Sequence, residues 1–229
     1  ARLRFAMMDW SAWTLSLKLA AATTLVLLPL AVLIARPLLT MRSPVRLVAD
    51  GLIALPLVLP PTVLGFYLLV AFGQNAVLGE LYRGLTGRSL VFSFDGLLAA
   101  SIIFNLPFAV QPVQRALEAI PREVREAAWC CGMTRWQALW KVELPLAWPG
   151  LLTAIVLTFA HTLGEFGVVL MIGGNIPDET RTVSIAIYDH VQAFEDRAAG
   201  ILSAVLVAFS FASIVLIQFL THRIGKKEQ

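Results

Sequence analysis

Five long apolar stretches dominate this sequence and decide what it can fold into. They cover residues 13–34, 52–72, 97–113, 148–172 and 201–220. A helix needs about 20 apolar residues to cross a hydrocarbon core about 30 Å thick, so each stretch is about long enough to span a bilayer. The third stretch is short, and we expect its helix to extend back through Ser93 and Phe94. The pattern predicts an all-α, polytopic membrane protein.

Composition excludes an ordinary soluble domain. Of the 229 residues, 58% are hydrophobic and 14% are charged, and the mean hydropathy is +0.77. A soluble domain carries about 25% charged residues, so lipid must cover much of this surface. The net charge of +3 comes from basic residues scattered along the chain without a basic block, which argues against a nucleic-acid partner.

The basic residues alternate in density between successive connections, which predicts orientation because positive flanks stay in the cytoplasm. Six lie in the N-terminal segment and in the second and fourth connections: Arg2, Arg4, Arg83, Arg88, Arg181 and Arg197. Eleven lie in the other connections and the tail: Arg36, Arg42, Arg46, Arg115, Arg122, Arg125, Arg135, Lys141, Arg223, Lys226 and Lys227. We expect a periplasmic N-terminus and a cytoplasmic C-terminus. The first stretch is too long for a signal peptide, so we expect it to be retained as a span.

Prolines interrupt the second stretch, which reads LPLVLPP over residues 55–61. Each proline removes a backbone donor, and a membrane helix tolerates this only where neighbouring helices or a cavity satisfy the freed carbonyls. We therefore expect a bent or broken span. For Pro60 and Pro61, a packing kink and a role in lining a pathway both remain open.

Lys18 and Glu165 are the only Asp, Glu, Lys or Arg residues inside the five stretches. Charges in the bilayer are costly and often functional. Both residues lie toward the outer ends of their stretches, where Lys18 can extend to the membrane surface and Glu165 can meet water or a helix cap. Close helix packing is the favoured interpretation of Gly164 and Gly167, which flank Glu165.

The chain lacks the elements of an enzyme. It has no GxxxxGK[ST] phosphate-binding loop, so it cannot bind ATP in that way. His161, His190 and His222 show no HExxH spacing, and the adjacent Cys130 and Cys131 fit neither a disulfide framework nor a metal site. We expect no catalytic residue, no metal and no cofactor in this chain, so a partner must supply energy for any uphill transport.

The inner connection over residues 114–146 is amphipathic, within a single membrane domain over 1–229. Pro121 suits a helix start and Gly132 suits a C-terminal cap. Trp136, Leu139 and Trp140 recur at helical spacing and predict an apolar face for a groove in a soluble partner. A helix lying on the lipid surface is the alternative interpretation.

This connection resembles the EAA---G---------I-LP signature of bacterial ABC importer permeases, with a valine in place of the isoleucine. The matching positions are Glu126, Ala127, Ala128, Gly132, Val142, Leu144 and Pro145. The resemblance implies a type I ABC importer permease fold of five to six membrane helices, in which this loop fits a cleft on an ATPase subunit. A sixth helix is expected over residues 183–193.

Residues 55–70 and 163–188 further resemble the molybdate branch of that family. Sulfate permeases share the GE[FY]G and GNIP patterns, but residues 179–182 are more similar to the molybdate group. The resemblance implies a homodimer in the bacterial inner membrane that works with two ATPase subunits, which bind ATP and magnesium, and a periplasmic oxyanion-binding protein. Molybdate is the expected substrate, with tungstate equivalent. Alternatives are a sulfate or thiosulfate permease, a secondary transporter and, least favoured, a membrane enzyme.

The same resemblance implies candidates for an outer gate and pathway. They are Thr162, Gly164, Glu165, Phe166, Gly167, Gly173, Gly174, Asn175, Pro60 and Pro61. Arg181 has two interpretations: a docking contact for the binding protein, or a solvated loop charge paired with Glu179 or Asp178.

Overall fold

The computed structural model describes residues 9–225, and every regular element among them is helical. The elements are α1 Trp10–Leu38, α2 Ser43–Val58, α3 Pro61–Phe72, α4 Val77–Thr86, α5 Phe94–Glu118, α6 Arg122–Cys130, α7 Arg135–Ala138, a π-helical turn Leu139–Glu143, α8 Leu144–Gly164, α9 Gly167–Gly173, α10 Val183–Gln192 and α11 Asp196–Gly225. Four basic residues used to predict orientation lie outside the described residues, namely Arg2, Arg4, Lys226 and Lys227. The side chain of Arg223 is likewise not among those that the structure describes.

Four helical segments are long and apolar enough to cross a membrane: Trp10–Leu38, Phe94–Glu118, Arg135–Gly164 and Asp196–Leu216. A fifth candidate is the pair α2 and α3, which passes the same test together but bends by 108°. The predicted all-helical membrane fold is confirmed.

The predicted break in the second stretch is confirmed at Leu59 and Pro60. Leu59 is extended, with φ −71° and ψ 135°, as expected for a residue before proline. Pro61 then occupies the first turn of α3, where no backbone donor is needed. The two prolines therefore separate two helices without leaving an interior helical hydrogen bond unmade.

The third stretch extends back as predicted. Ser93 caps α5, since its hydroxyl accepts a hydrogen bond from the backbone N–H of Gly96 at 3.2 Å, and the helix begins at Phe94. Asp95 adds a carboxylate to the first turn, where the helix dipole favours negative charge.

The fourth stretch differs from the expected span over residues 148–172. The helical segment begins at Arg135 and ends at Gly164, and Glu165 is extended with φ −67° and ψ 128°. After Phe166 the chain continues as the short helix α9. One expected span is thus a span followed by a break and a separate helix.

The expected sixth helix is present as α10, but it is not a span. Its 10 residues rise about 15 Å, half of the hydrocarbon thickness. Among the described residues, the count of candidate spans therefore stays at four, or five with the bent pair.

Small residues let the central helices α1, α5 and α8 pack closely. Ala31 and Ala35 of α1, Ala109 of α5 and Ala147 of α8 are buried in one apolar cluster. A Cβ atom added at Gly150 of α8 would lie 2.3 Å from the Cβ of Ala116, so these two helices cross with no room for a side chain there.

Candidate coupling loop and outer gate

The first helix of the connecting loop has the start and end that the sequence predicts. α6 begins directly after Pro121 and ends before Gly132, which has φ +79°. The Gly132 N–H donates to the Trp129 carbonyl at 2.9 Å, and the Met133 N–H donates to the Ala128 carbonyl at 3.2 Å. These two bonds form a Schellman cap, which requires a left-handed residue at the position of Gly132.

The seven signature positions differ in exposure. Glu126 is 47% exposed in its side chain and pairs with Arg122, one helical turn earlier, at 2.6 Å. Ala127 and Gly132 are exposed and Ala128 is buried. Of the later positions, Val142 is half-buried, Leu144 is buried and Pro145 is exposed. Glu126, Ala127, Gly132 and Pro145 are therefore accessible to a partner, whereas Ala128 and Leu144 support the loop from within.

The expected apolar face of the second loop helix is only partly correct. Thr134 and Gln137 form a capping box that starts α7. Trp136 and Trp140 are 60% and 65% exposed, as a docking face requires, but Leu139 is 2% exposed and belongs to the apolar core. The π-helical turn begins at Leu139, which changes the spacing at which side chains share a face.

A buried carboxylate connects this loop to the membrane helices. Glu143, in the π-helical turn, is fully buried. Nη2 of Arg36, near the end of α1, donates to its Oε1 at 2.9 Å, and Arg36 Nε lies 2.7 Å from its Oε2. Arg125 Nε of α6 lies 3.6 Å from Oε1. Glu143 thus ties α6 to α1 at the point where the loop enters α8.

The triad of Glu143, Arg36 and Arg125 is not among the candidates predicted from the sequence. The available signal was an acidic residue directly before an apolar span, at the same membrane border as two arginines. Only the packing of α1 against α8 shows that Glu143 and Arg36, 107 residues apart, are neighbours.

At the other end of α8, Glu165 is buried among neutral donors. Its side chain is 3% exposed, although we expected water or a helix cap around it. The Ser101 hydroxyl donates to Oε2 at 2.8 Å, and Asn105 Nδ2 donates to the same oxygen at 3.1 Å. His161 Nδ1 lies 2.9 Å from Asn105 Oδ1, and the His161 ring stacks on Phe108 with centroids 3.9 Å apart.

Ser101, Asn105 and His161 were missed as site candidates. Two pairs of polar residues could have indicated them, because the members of each pair lie four positions apart within an apolar stretch. The pairs are Ser101 with Asn105, and His161 with Glu165. Residues four apart share one helix face, and Glu165 directly follows the last turn of α8, so these two polar pairs meet when α5 packs against α8.

The remaining gate candidates fall into different environments. Thr162 is 3% exposed and its hydroxyl donates to the Thr158 carbonyl at 2.8 Å, so it faces the interior of the protomer. Gly164 is exposed and has nothing within 4 Å of the position that a Cβ would take. The Phe166 ring lies 5.0 Å from the Tyr188 ring. Within the protomer, the expected close packing is therefore absent at Gly164.

Gly167 does pack closely. A Cβ at this position would lie 2.8 Å from the Cβ of Pro61. The breaks α2–α3 and α8–α9 therefore touch, which brings Pro60 and Pro61 beside the residues that follow Glu165.

The loop after α9 is held by internal bonds. Gly174 and Asn175 have φ +67° and +58°, and the Gly173 carbonyl accepts a hydrogen bond from the Thr180 hydroxyl at 2.7 Å. Asn175 Nδ2 donates to both carboxylate oxygens of Asp189 at 3.1 and 3.0 Å. These contacts give Gly173, Gly174 and Asn175 a structural role in the turn.

Arg181 does not pair with Glu179 or Asp178, as one interpretation expected. Its guanidinium lies 2.8 Å from Asp189 and 3.8 Å from Asp9. Burial raises the pKa of the Asp9 carboxyl, but hydrogen bonds from Ser11 and Ala12 together with Arg181 bring that pKa below its usual value. Arg181 is thus engaged within the protomer, which weakens its assignment as a docking contact.

Lys18 lies near the start of α5, with Nζ 4.4 Å from the centroid of the Phe94 ring. This cation–π contact holds the ammonium group at the end of the bundle where α5 begins. Among residues 9–225, no three His, Cys, Asp or Glu side chains are grouped closely enough to hold a metal ion.

Comparison with known proteins gives a matching family and relatives that align over most of the chain. Residues 27–227 match the family described as "Binding-protein-dependent transport system inner membrane component". A molybdenum transport system permease protein, ModB, of Azotobacter vinelandii is 49% identical over 89% of this chain and 90% of its own. The sulfate transport system permease protein CysT of Escherichia coli K12 is 36% identical over 81% of this chain and 67% of its own.

Solved structures support the fold. The MetNI methionine ABC transporter in inward-facing conformations aligns with a TM-score of 0.72 at 18% identity, covering 99% of this chain and 98% of that chain. A bacterial alginate ABC transporter in complex with an alginate-bound periplasmic protein aligns with a TM-score of 0.69 at 18% identity, covering 93% of this chain and 76% of that chain.

Proposed function

Because this chain belongs to the family of binding-protein-dependent transport system inner membrane components, we propose that it forms the translocation pathway of an ATP-driven molybdate importer. The family and the apolar helices make it a multi-pass inner-membrane protein. The observation that carries the substrate is the 49% identity to a molybdenum permease, which extends over nine-tenths of both chains.

Sulfate is the alternative substrate, supported by the 36% identity to a sulfate permease. Molybdate, tungstate and sulfate are all tetrahedral dianions, so a pathway without fixed binding groups would pass any of them. The proposal therefore assigns the selection of the anion to a periplasmic binding protein. The complex of the structurally similar alginate transporter with a periplasmic protein supports this division of labour.

An ATPase subunit would bind the connecting loop. The exposed Glu126, Trp136 and Trp140 belong to the accessible part of this loop. The sequence has no GxxxxGK[ST] motif, so ATP and magnesium would bind to the partner and this chain would only transmit the resulting movement.

The ion-pair triad supplies a path for that transmission. Arg125 moves with α6, and Glu143 connects it to Arg36 of α1 and to the beginning of α8. A displacement of the loop by the ATPase would therefore shift two membrane helices together. Alternating access follows when nucleotide binds one of the two states of the pathway more tightly than the other.

A second copy of the chain would complete the pathway. Gly164 ends a span, is exposed and has open space where a Cβ would lie, as expected for a residue where two copies meet at a symmetry axis. The buried Glu165 network lies directly behind it and would keep this end of α8 rigid. We place the outer gate at Gly164 and Phe166, with Thr162 behind them.

Reconstituted vesicles test the substrate. Vesicles that hold this chain and its ATPase should show ATP hydrolysis stimulated by a molybdate-loaded binding protein, but not by a sulfate-loaded one. Vesicles without the ATPase are the control and should take up no molybdate. Stimulation of ATP hydrolysis by the sulfate-loaded protein alone would identify sulfate as the substrate in place of molybdate. Uptake without the ATPase would favour a secondary transporter.

A further inference from the structure

A cavity of about 650 Å³ lies where the C-terminal end of α1 meets the connecting loop. Its walls come from α1, α6 and α7. Four arginines line it: Arg36, Arg122, Arg125 and Arg135. Its volume is within the range of about 300 to 1,000 Å³ that small-molecule sites occupy. Three of its lining residues also belong to the function proposed above, namely Arg36 and Arg125 of the ion-pair triad and Trp136 of the loop surface.

Two of these arginines are already neutralised in part. Glu143 lies beside both Arg36 and Arg125, and it is the single carboxylate between them. Arg125 Nε is buried and has no hydrogen-bond partner within the described part of the chain. This half of the cavity therefore keeps one uncompensated positive charge.

The other two arginines lie closer to solvent. Arg122 is 85% exposed in its side chain and pairs with Glu126. Arg135 begins α7, is exposed, and makes neither an ion pair nor a side-chain hydrogen bond with any residue that the structure describes. No acidic residue lines the cavity. A ligand that enters here meets an excess of positive charge with free N–H donors.

The rest of the lining is mostly apolar, and part of it belongs to a membrane span. Val32 and Leu33 of α1 line the cavity, and Leu33 is 53% exposed on the surface of that span. Trp129 and Trp136 also line it and are 43% and 60% exposed. Tryptophan is enriched where a protein crosses the membrane–water interface, as expected for a cavity at the end of a membrane span.

We propose that this cavity binds an anionic phospholipid, with its phosphate on Arg135 and Arg122 and the upper part of an acyl chain against Leu33. Arginine forms paired, charge-assisted hydrogen bonds with phosphate oxygens. An inorganic anion would use the arginines but leave the apolar wall in contact with water. A lipid offers a phosphate to the arginines and an acyl chain to the apolar residues of the lining. Basic pockets at the ends of membrane helices also suit anionic headgroups. The inference requires a membrane protein and does not depend on which anion is transported.

Native mass spectrometry of the delipidated full-length chain in detergent tests the proposal. Phosphatidylglycerol and phosphatidylcholine with identical acyl chains are titrated separately. Phosphatidylglycerol should bind more tightly, and Arg135→Gln and Arg122→Gln should each weaken its binding about fivefold while leaving phosphatidylcholine unchanged. Arg42→Gln is the matched control, since Arg42 is exposed at the start of α2 and does not line the cavity. It should bind like the parent chain.

Four results would overturn the proposal. Equal affinities for the two lipids, or an equal loss in Arg42→Gln, would show that the cavity does not recognise the headgroup. Displacement of phosphatidylglycerol by millimolar inorganic phosphate or molybdate would identify an inorganic anion site instead. The titration is repeated with the ATPase bound, and loss of phosphatidylglycerol there would assign the surface to the ATPase.

Discussion

Two buried carboxylates at opposite ends of α8 differ in their surroundings. Glu143 lies between the guanidinium groups of Arg36 and Arg125, whereas Glu165 accepts hydrogen bonds from the neutral side chains of Ser101 and Asn105. A buried charge beside cations depends on ion pairing, and one beside neutral donors depends on hydrogen bonds alone. Removal of either carboxylate should therefore destabilise the protein by a different route.

Glu143→Ala should lower the free energy of unfolding by about 3 kcal/mol, because it leaves Arg36 and Arg125 without their shared partner. Glu118→Ala is the control, since the Glu118 pair with Arg46 is about a third exposed on both sides and should contribute less than about 1 kcal/mol. Denaturant titration in detergent measures both values. Equal losses would mean that burial of Glu143 does not strengthen its ion pairs.

Glu165→Ala should cost about 1–3 kcal/mol of unfolding free energy, because the Ser101 hydroxyl loses its acceptor in a buried site. The double variant Ser101→Ala/Glu165→Ala should be hardly less stable than Glu165→Ala, since the unsatisfied hydroxyl is then gone and Asn105 Nδ2 keeps the Ser101 carbonyl as an acceptor. Glu179→Ala, at an exposed position in the loop after α9, serves as a neutral reference. Additive losses in the double variant would contradict the hydrogen-bonded network.

At the scale of elements, breaks and caps position the candidate sites. The helices α2 and α3 are separated at Leu59 and Pro60, α8 and α9 are separated at Glu165 and Phe166, and the two breaks meet where Gly167 contacts Pro61. The connecting loop is shaped by the Schellman cap of α6 and the capping box of α7. These local devices hold the loop in a defined shape for a partner.

Replacement of Gly132 tests whether that shape matters. Gly132 has open space around it and φ +79°, so a side chain there is limited by backbone conformation alone. Gly132→Val should distort the cap, since a left-handed conformation costs a residue with a Cβ about 1–2 kcal/mol, and should abolish both uptake and co-purification with the ATPase. Gly132→Asn tolerates this conformation and should retain most of both. Retention of both functions in Gly132→Val would remove the loop from the coupling role.

At the scale of the whole molecule, the bent pair α2–α3 determines the topology. If the pair crosses the membrane once, the described helices form five spans and the two ends of the chain lie on opposite sides. If the pair re-enters on the same side, four spans remain and both ends share one side. The distribution of basic residues favours five spans, with the loop of α6 and α7 in the cytoplasm.

Cysteine labelling distinguishes these arrangements. In a background with Cys130→Ser and Cys131→Ser, which removes two exposed thiols, an impermeant thiol reagent added from outside should label Gln74→Cys and Glu179→Cys but not Arg42→Cys. All three positions are exposed in loops or at a helix start. Permeabilised cells provide the control, in which all three should react. Labelling of Arg42→Cys alone in intact cells would show that the chain has the opposite orientation in the membrane.

The amino-acid sequence alone was sufficient for features that depend on local composition. The membrane class follows from the apolar stretches, the break at Leu59 and Pro60 from missing backbone donors, and the ends of α6 from Pro121 and Gly132. Each of these features depends on residues that lie a few positions apart, so it can be predicted from the sequence. The seven signature positions were likewise found in the sequence, through their resemblance to a known family signature.

Contacts between distant helices could not be obtained in this way. Glu165 lies against Ser101, 64 residues away, and Glu143 against Arg36, 107 residues away. The same carboxylates could equally have met water, a cap or a surface lysine, and nothing near them in the chain distinguishes these outcomes. The partners are selected when small residues such as Gly150 let α8 approach α5 and α1, because that approach excludes water and leaves each carboxylate only the donors on the facing helix.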